Sequence, residues 1–139
     1  MDVPVDRPWL ASYAPGVPSD IEVPEGSLVE LLDRAVERFP RRTALDFFGA
    51  QTTYRELGDQ VARAAGALRG LGGSAGDRVA IALPNCPQHV VAFYAVLRLG
   101  AIVVEHNPLY TREELEHQLA DHEPIVAIVW DKIAATVQD

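Results

Sequence analysis

The reactive inventory of this chain is small: one cysteine, four histidines and a single lysine, Lys132. Glu114-x-x-His117 has the i, i+3 spacing of a di-iron carboxylate motif, and His122 follows closely. Such a centre needs a second copy of the motif and further glutamates from other helices. The chain offers neither, so Glu113 and His117 read as an i, i+4 pair on an exposed helix face. Cys86 follows Asn85 at a helix start, where a thiolate is favoured, but a nucleophile needs a base within reach, and no nearby histidine is evidently placed to serve. Gly70-Leu-Gly72-Gly-Ser-Ala75 spells G-x-G-x-x-A. In a dinucleotide loop those glycines follow a strand and open a helix, so that pyrophosphate meets helix amides. Here they close a helix and precede a strand, the context of a glycine-terminated helix. No catalytic, cofactor-binding or metal-ligating residue is assigned within the chain.

The elements that would position any site lie between Arg78 and Trp130. Val79–Leu83, Ala101–Glu105 and Ile125–Trp130 are short, apolar, rich in β-branched residues and bounded by Pro, Gly or Asn. They read as strands buried on both faces. Gln88–Leu99 and Arg112–Ala120 have helical character and suffice to cross over a sheet. The order predicts an α/β fold with a parallel βαβαβ sheet flanked by helices. Open parallel sheets bind ligands beyond the carboxyl ends of their strands, which points to Pro84-Asn85-Cys86, Glu105-His106-Asn107-Pro108 and Asp131-Lys132. None of these loops has a glycine-rich phosphate cradle or paired carboxylates.

Residues 1–26 hold Pro4, Pro8, Pro15, Pro18 and Pro24, a density that opposes regular structure. They read as an extended arm pinned by Trp9, Tyr13 and Ile21, with residues 27–139 forming the α/β domain. Capping boxes at Ser27-Leu-Val-Glu30, Thr53-Tyr-Arg-Glu56 and Thr111-Arg-Glu-Glu114 open three helices. The first carries the stripe Leu28, Leu31, Leu32, Ala35, Val36, Phe39; the second carries Tyr54, Leu57, Val61, Ala64, Ala65, Leu68, Leu71. Between them Ala44–Phe48 and Gln51–Thr53 flank Gly49-Ala50, which suits a type II′ hairpin. Pro87 suits a helix first turn, Gly100 a left-handed helix end, and Asp131 the start of a helix running to Asp139. Val90, Val91, Phe93, Tyr94, Val96 and Leu97 leave the central helix apolar all round, as in a buried helix. Either the first two helices and the arm wrap it, or the chain is part of something larger.

With 48% hydrophobic and 23% charged residues the composition is that of a soluble globular domain. A net charge of −8 argues against nucleic acid as a partner. Arg34, Arg38, Arg41 and Arg42 are interleaved with Glu30, Asp33 and Glu37, which makes a solvated helix face. The single cysteine, Cys86, makes a reducing cytoplasm the expected compartment. Met1–Ala11 lacks the basic start and apolar core of a signal peptide. The run Val90–Leu97 is far shorter than the ~20 residues that span a bilayer, so membrane contact is expected to be peripheral at most.

Arg78-Val-Ala-Ile-Ala-Leu-Pro-Asn85, Ala101-Ile-Val-Val-Glu-His-Asn-Pro-Leu-Tyr-Thr111 and Glu114-Leu-Glu-His-Gln-Leu119 together resemble the amino-terminal part of the AMP-forming acyl-CoA synthetases. Asn107-Pro-Leu-Tyr-Thr111 with the following helix, and Trp9 and Tyr13 ahead of the first helix, resemble the long-chain fatty-acid branch. Thr53-Tyr-Arg-Glu-Leu57 fits the same family, and the likeness runs from about Trp9 to Asp139. The resemblance implies the N-terminal subdomain of the adenylating-enzyme fold, incomplete here. It implies an enzyme that uses ATP and Mg²⁺ to convert a fatty acid to an acyl-adenylate and then transfers the acyl group to coenzyme A. The family's Ser/Thr/Gly-rich phosphate loop with its lysine, adenine segment, ribose-binding aspartate and mobile C-terminal lysine would lie beyond Asp139. Phosphoryl chemistry depends on such cationic and amide clamps, so these residues alone are expected to be inactive scaffold and to self-associate through exposed apolar surface.

The alternative is a stand-alone α/β binding or interaction module without catalysis. A downstream Ser/Thr/Gly-rich loop with lysine favours the ligase, and a natural stop after Asp139 favours the module. A phosphoacceptor receiver domain is discounted, because Pro84-Asn85 stands where acidic residues would follow the first strand.

Overall fold

The computed structural model describes residues 6–137. The first five residues of the expected arm, Pro4 among them, and the end of the expected C-terminal helix at residues 138–139 lie outside the described residues. Helix α1 (Leu28–Arg38) is followed by the hairpin β1 (Thr43–Phe47) and β2 (Ala50–Thr53), then by helix α2 (Tyr54–Gly70). After it come β3 (Arg78–Ala82), α3 (Pro87–Leu99), β4 (Ile102–Glu105), α4 (Arg112–His122), β5 (Val126–Val129) and, past a 3-10 turn at Asp131–Ile133, α5 (Ala134–Val137). β4, β3 and β5 form a parallel sheet in that order, with Ile81 opposite both Glu105 and Ile128.

Local chemistry sets the helix boundaries. Ser27, Thr53 and Thr111 each accept from the amide three residues on, while Glu30, Glu56 and Glu114 reach back to the cap amides. Pro87 occupies the first turn of α3, and Gly100 ends that helix at φ 80°, where a Cβ would be strained. The hairpin differs from the expected register: the turn residues are Phe48 and Gly49, at φ 52° and 84°, and Phe47 pairs with Ala50. Positive φ at both central positions is the type I′ pattern, whose twist matches that of the strands, and it overrides the poor fit of a phenylalanine there. The arm also departs from expectation, since Pro8–Ser12 makes a 3-10 turn with proline at its start. Trp9 and Tyr13 remain 48% and 43% exposed and Ile21 78% exposed. They do not pin the arm by burial, and Arg7 and Asp20 close it on itself with a 2.8 Å ion pair.

Burial sharpens the sheet. Val79, Ala80, Ile81 and Ala82 of the central strand β3 are buried on both faces, as expected. β4 and β5 are not: they sit at the two edges, and Ile102 is half-exposed. Helix α3 joins two apolar clusters, which explains its all-round apolarity. Ala92, Ala95, Val96 and Leu99 pack with Ala65, Leu68, Val79 and Ile81. Val90, Val91 and Tyr94 pack against Leu32, Leu57 and Val61 from α1 and α2. Each fully buried aliphatic side chain contributes about 1.5–3 kcal/mol. The amphipathic stripes are only partly covered, however: Leu28 and Leu31 on α1 and Phe39 at its C-cap are exposed, as is Leu71 just past α2.

Candidate functional site

Parallel pairing brings the three loops after β3, β4 and β5 to one edge of the sheet. His106 N–H donates to the Ile81 carbonyl and Trp130 N–H to the Ala82 carbonyl, extending the ladders into that edge. Asn107 is used locally, its side-chain oxygen accepting from the Leu109 amide in an Asx turn. Lys132 lies over the Trp130 ring, 4.7 Å from its centroid.

Cys86 is the half-buried N-cap residue of α3 and gives no side-chain cap. With Asn85, His89, Ala44, Asp46 and Phe47 it lines an open cleft of about 340 Å³ between the hairpin and α3. His89 is one turn from the cysteine, but both its nitrogens are engaged: Nδ1 lies 3.3 Å from the Leu83 carbonyl and Nε2 2.8 Å from Glu105 Oε1. It therefore holds the start of α3 to the end of β4, and neither contact runs to the thiol. The glycine run stands between α2 and β3, so it presents no helix N-terminus to a phosphate.

A second recess, about 380 Å³, is lined by Glu105, His106, His117, Gln118, Asp121 and His122. His106 Nε2 and His122 Nε2 are 2.8 Å apart, and His106 Nδ1 is 2.8 Å from Gln118 Oε1. Burial, with the neighbouring His106 and Arg78, pushes protonation of His122 below the ordinary histidine range. Glu113 and His117 are exposed, as expected, but no hydrogen bond or ion pair joins them among the described residues. Glu114 is occupied with its cap: Oε2 accepts from both the amide and the hydroxyl of Thr111 at 2.8 Å, which holds the carboxyl below its usual range. Among the described residues no three His, Cys, Asp or Glu side chains converge as metal ligands. Those described residues offer no ligand set for Mg²⁺.

The sequence reading missed the His106–His122 contact, although a signal existed. Leu115, Gln118, Leu119 and His122 fall at i, i+3, i+4 and i+7, which puts His122 on the inward face of α4. The edge can orient loops, but it carries no nucleophile–base pair among the described residues.

This architecture defines the class: an α/β subdomain that supplies walls and loops at the carboxyl edge of a parallel sheet. The chain belongs to the AMP-binding enzyme family, whose sequence profile matches residues 32–139. It is 42% identical over 125 residues to a long-chain-fatty-acid–CoA ligase of Bacillus subtilis, covering 90% of this chain and 22% of that protein. A Yersinia pestis protein of the same description is 38% identical over 136 residues, covering 96% and 24%. The fold is similar to that of a Mycobacterium tuberculosis fatty acyl CoA synthetase, with a TM-score of 0.75 and 28% identity over 78% of this chain and 22% of that one. The chain thus spans roughly a quarter of the length of the curated relatives it matches.

Proposed function

We propose that this chain is the amino-terminal part of a long-chain fatty-acid–CoA ligase. The observation that carries the reading is the 42% identity to a protein of that description along 90% of the chain. In the reaction, a fatty-acid carboxylate oxygen attacks the α-phosphorus of ATP and expels pyrophosphate. The coenzyme A thiol then attacks the acyl carbonyl of the adenylate and releases AMP. The residues described here act as scaffold: β3 and α3 form the buried centre, and the His89–Glu105 link fixes two of the loops at the carboxyl edge.

The same proposal makes residues 1–139 inactive by themselves, because adenylyl transfer needs cationic and amide clamps on the phosphates and the chain's one lysine, Lys132, sits against Trp130. It also takes the remainder of the protein to cover the apolar groove lined by Ala64, Ala67, Leu68, Val91, Ala95 and Ile128. The proposed setting is the cytoplasm, in keeping with the free thiol of Cys86, with membrane contact peripheral at most. Oleate-dependent pyrophosphate release, with ATP and coenzyme A supplied, tests the reading. Release by the protein at its natural length and background release by residues 1–139 is the expected pair of results.

A further inference from the structure

His106, one residue past β4, is only 7% exposed, and its ring meets that of His122 with centroids 4.9 Å apart and planes 26° apart. One arrangement of protons satisfies its contacts. The Gln118 amide oxygen can only accept, so His106 Nδ1 carries a hydrogen. In the neutral ring Nε2 then offers a lone pair, and His122 donates to it from its own Nε2. His122 Nδ1 is left bare, buried and without a partner. One hydrogen therefore lies between the two rings. A further proton on His106 Nε2 abolishes the contact, while one on His122 Nδ1 meets only the residue's own carbonyl, which already accepts from Arg78.

We propose that the His106–His122 pair is a proton-sensitive clasp that fastens α4 to the sheet while both rings are neutral and releases it in acid. Helix α4 needs such a fastening because its apolar anchorage is thin: Leu115 is buried and Leu119 half-buried, and the rest of the helix is largely polar. The surroundings of His122 favour its neutral form. From β3, the Arg78 guanidinium donates to the His122 carbonyl and sets a fixed positive charge beside the ring. From the end of β4, Glu105 faces the recess but is engaged by His89. From α4 come exposed His117 and Asp121, of which only Asp121 favours a charged His122. When α4 lifts away, His122 regains water and its ordinary affinity for protons. The open form then binds more protons than the closed one, so the clasp is intact above the ordinary histidine value of 6.5 and is lost as pH falls below it. The clasp stands independently of the ligase reading.

Hydrogen-exchange mass spectrometry on the protein at its natural length, followed from about pH 7.5 to about pH 5, reads the clasp directly. After correction for intrinsic exchange, opening of residues 112–122 is expected to rise by up to about tenfold per pH unit for each proton taken up, with α2 unchanged. His122→Phe keeps a ring in place and removes the titration, so its α4 exchange should lose that pH dependence. Exchange of α4 independent of pH in the unaltered protein overturns the proposal. Should the variant fail to fold, histidine-selective ¹⁵N spectra of the unaltered protein decide: His122 protonated on Nε2 alone near neutral pH supports the clasp, and His122 protonated on both nitrogens overturns it.

Discussion

His89 Nε2 lies 2.8 Å from Glu105 Oε1, so a residue in the first turn of α3 is tied to the last residue of β4. The same ring faces the Leu83 carbonyl through Nδ1, and one side chain thereby sets the spacing of two loops at the carboxyl edge. Replacing His89 with Ala removes both contacts and is expected to cost about 1–2 kcal/mol. Glu105→Gln, which keeps shape and loses charge, should cost about 0.5 kcal/mol, since the carboxylate is half-exposed. Urea unfolding of the two variants checks the order; a larger loss for Glu105→Gln would contradict it.

Core positions and stripe positions should separate cleanly. Ile81 and Leu115 are almost wholly buried, and truncation of either to Ala is expected to cost about 2–5 kcal/mol. Leu71 belongs to the apolar stripe read from the sequence but is 70% exposed, so Leu71→Ala should fall within about 0.5 kcal/mol of the unaltered protein. Differential scanning calorimetry on residues 1–139, in which the groove that Leu71 lines is uncovered, gives both values.

At the hairpin tip, Phe48 holds a left-handed backbone while 96% exposed. Phe48→Gly relieves that conformation and loses only an edge contact with Phe47 at 4.6 Å. We expect a gain of about 0.5–1 kcal/mol. A loss of stability would show that Phe48 has a partner the hairpin itself does not supply.

The caps make an acid-limb prediction. Hydrogen bonds from the Thr53 and Thr111 backbones and then from their hydroxyls lower the Glu56 and Glu114 carboxyls from the ordinary value of 4.5. A lowered carboxyl contributes stability that is present above its ordinary value and lost as pH falls through its folded one. Glu56→Gln and Glu114→Gln should therefore flatten the stability profile below about pH 4.5. Thr111→Ala should cost about 1 kcal/mol near neutral pH.

Where the fold was legible, short-range chemistry carried it. Ser27, Thr53 and Thr111 marked three helix starts, Gly100 a helix end, and the β-branched runs the three parallel strands. Each of these signals acts within a few residues of chain. What escaped depends on long-range placement. Whether β4 and β5 lie inside or at the edge of the sheet is decided by strand order, which no periodicity encodes, and edge position leaves Ile102 half-exposed. The turn at Phe48-Gly49 escaped because strand twist, and not the preference of phenylalanine, selected it. His106 and His122 lie 16 residues apart, and nothing local links them. Their meeting depends on α4 laying one face on the sheet. The commitments of His89 were not readable, because they run to a strand end and to a carbonyl.

Surface left uncovered should show itself in solution. The groove between α2 and α3, with Ile128 below it, is largely apolar, and residues 1–139 produced alone are expected to self-associate and bind a hydrophobic dye. Light scattering coupled to size exclusion checks this. A monodisperse monomer with no dye binding would contradict the proposal that the remainder of the protein covers this groove.

The most direct test of the central claim compares oleate-dependent pyrophosphate release by the protein at its natural length with release by residues 1–139, each with ATP and coenzyme A. The account predicts turnover by the former and background by the latter, matching a heat-killed control. Turnover by residues 1–139 would contradict the scaffold role, and an inactive natural-length protein would contradict the ligase reading itself.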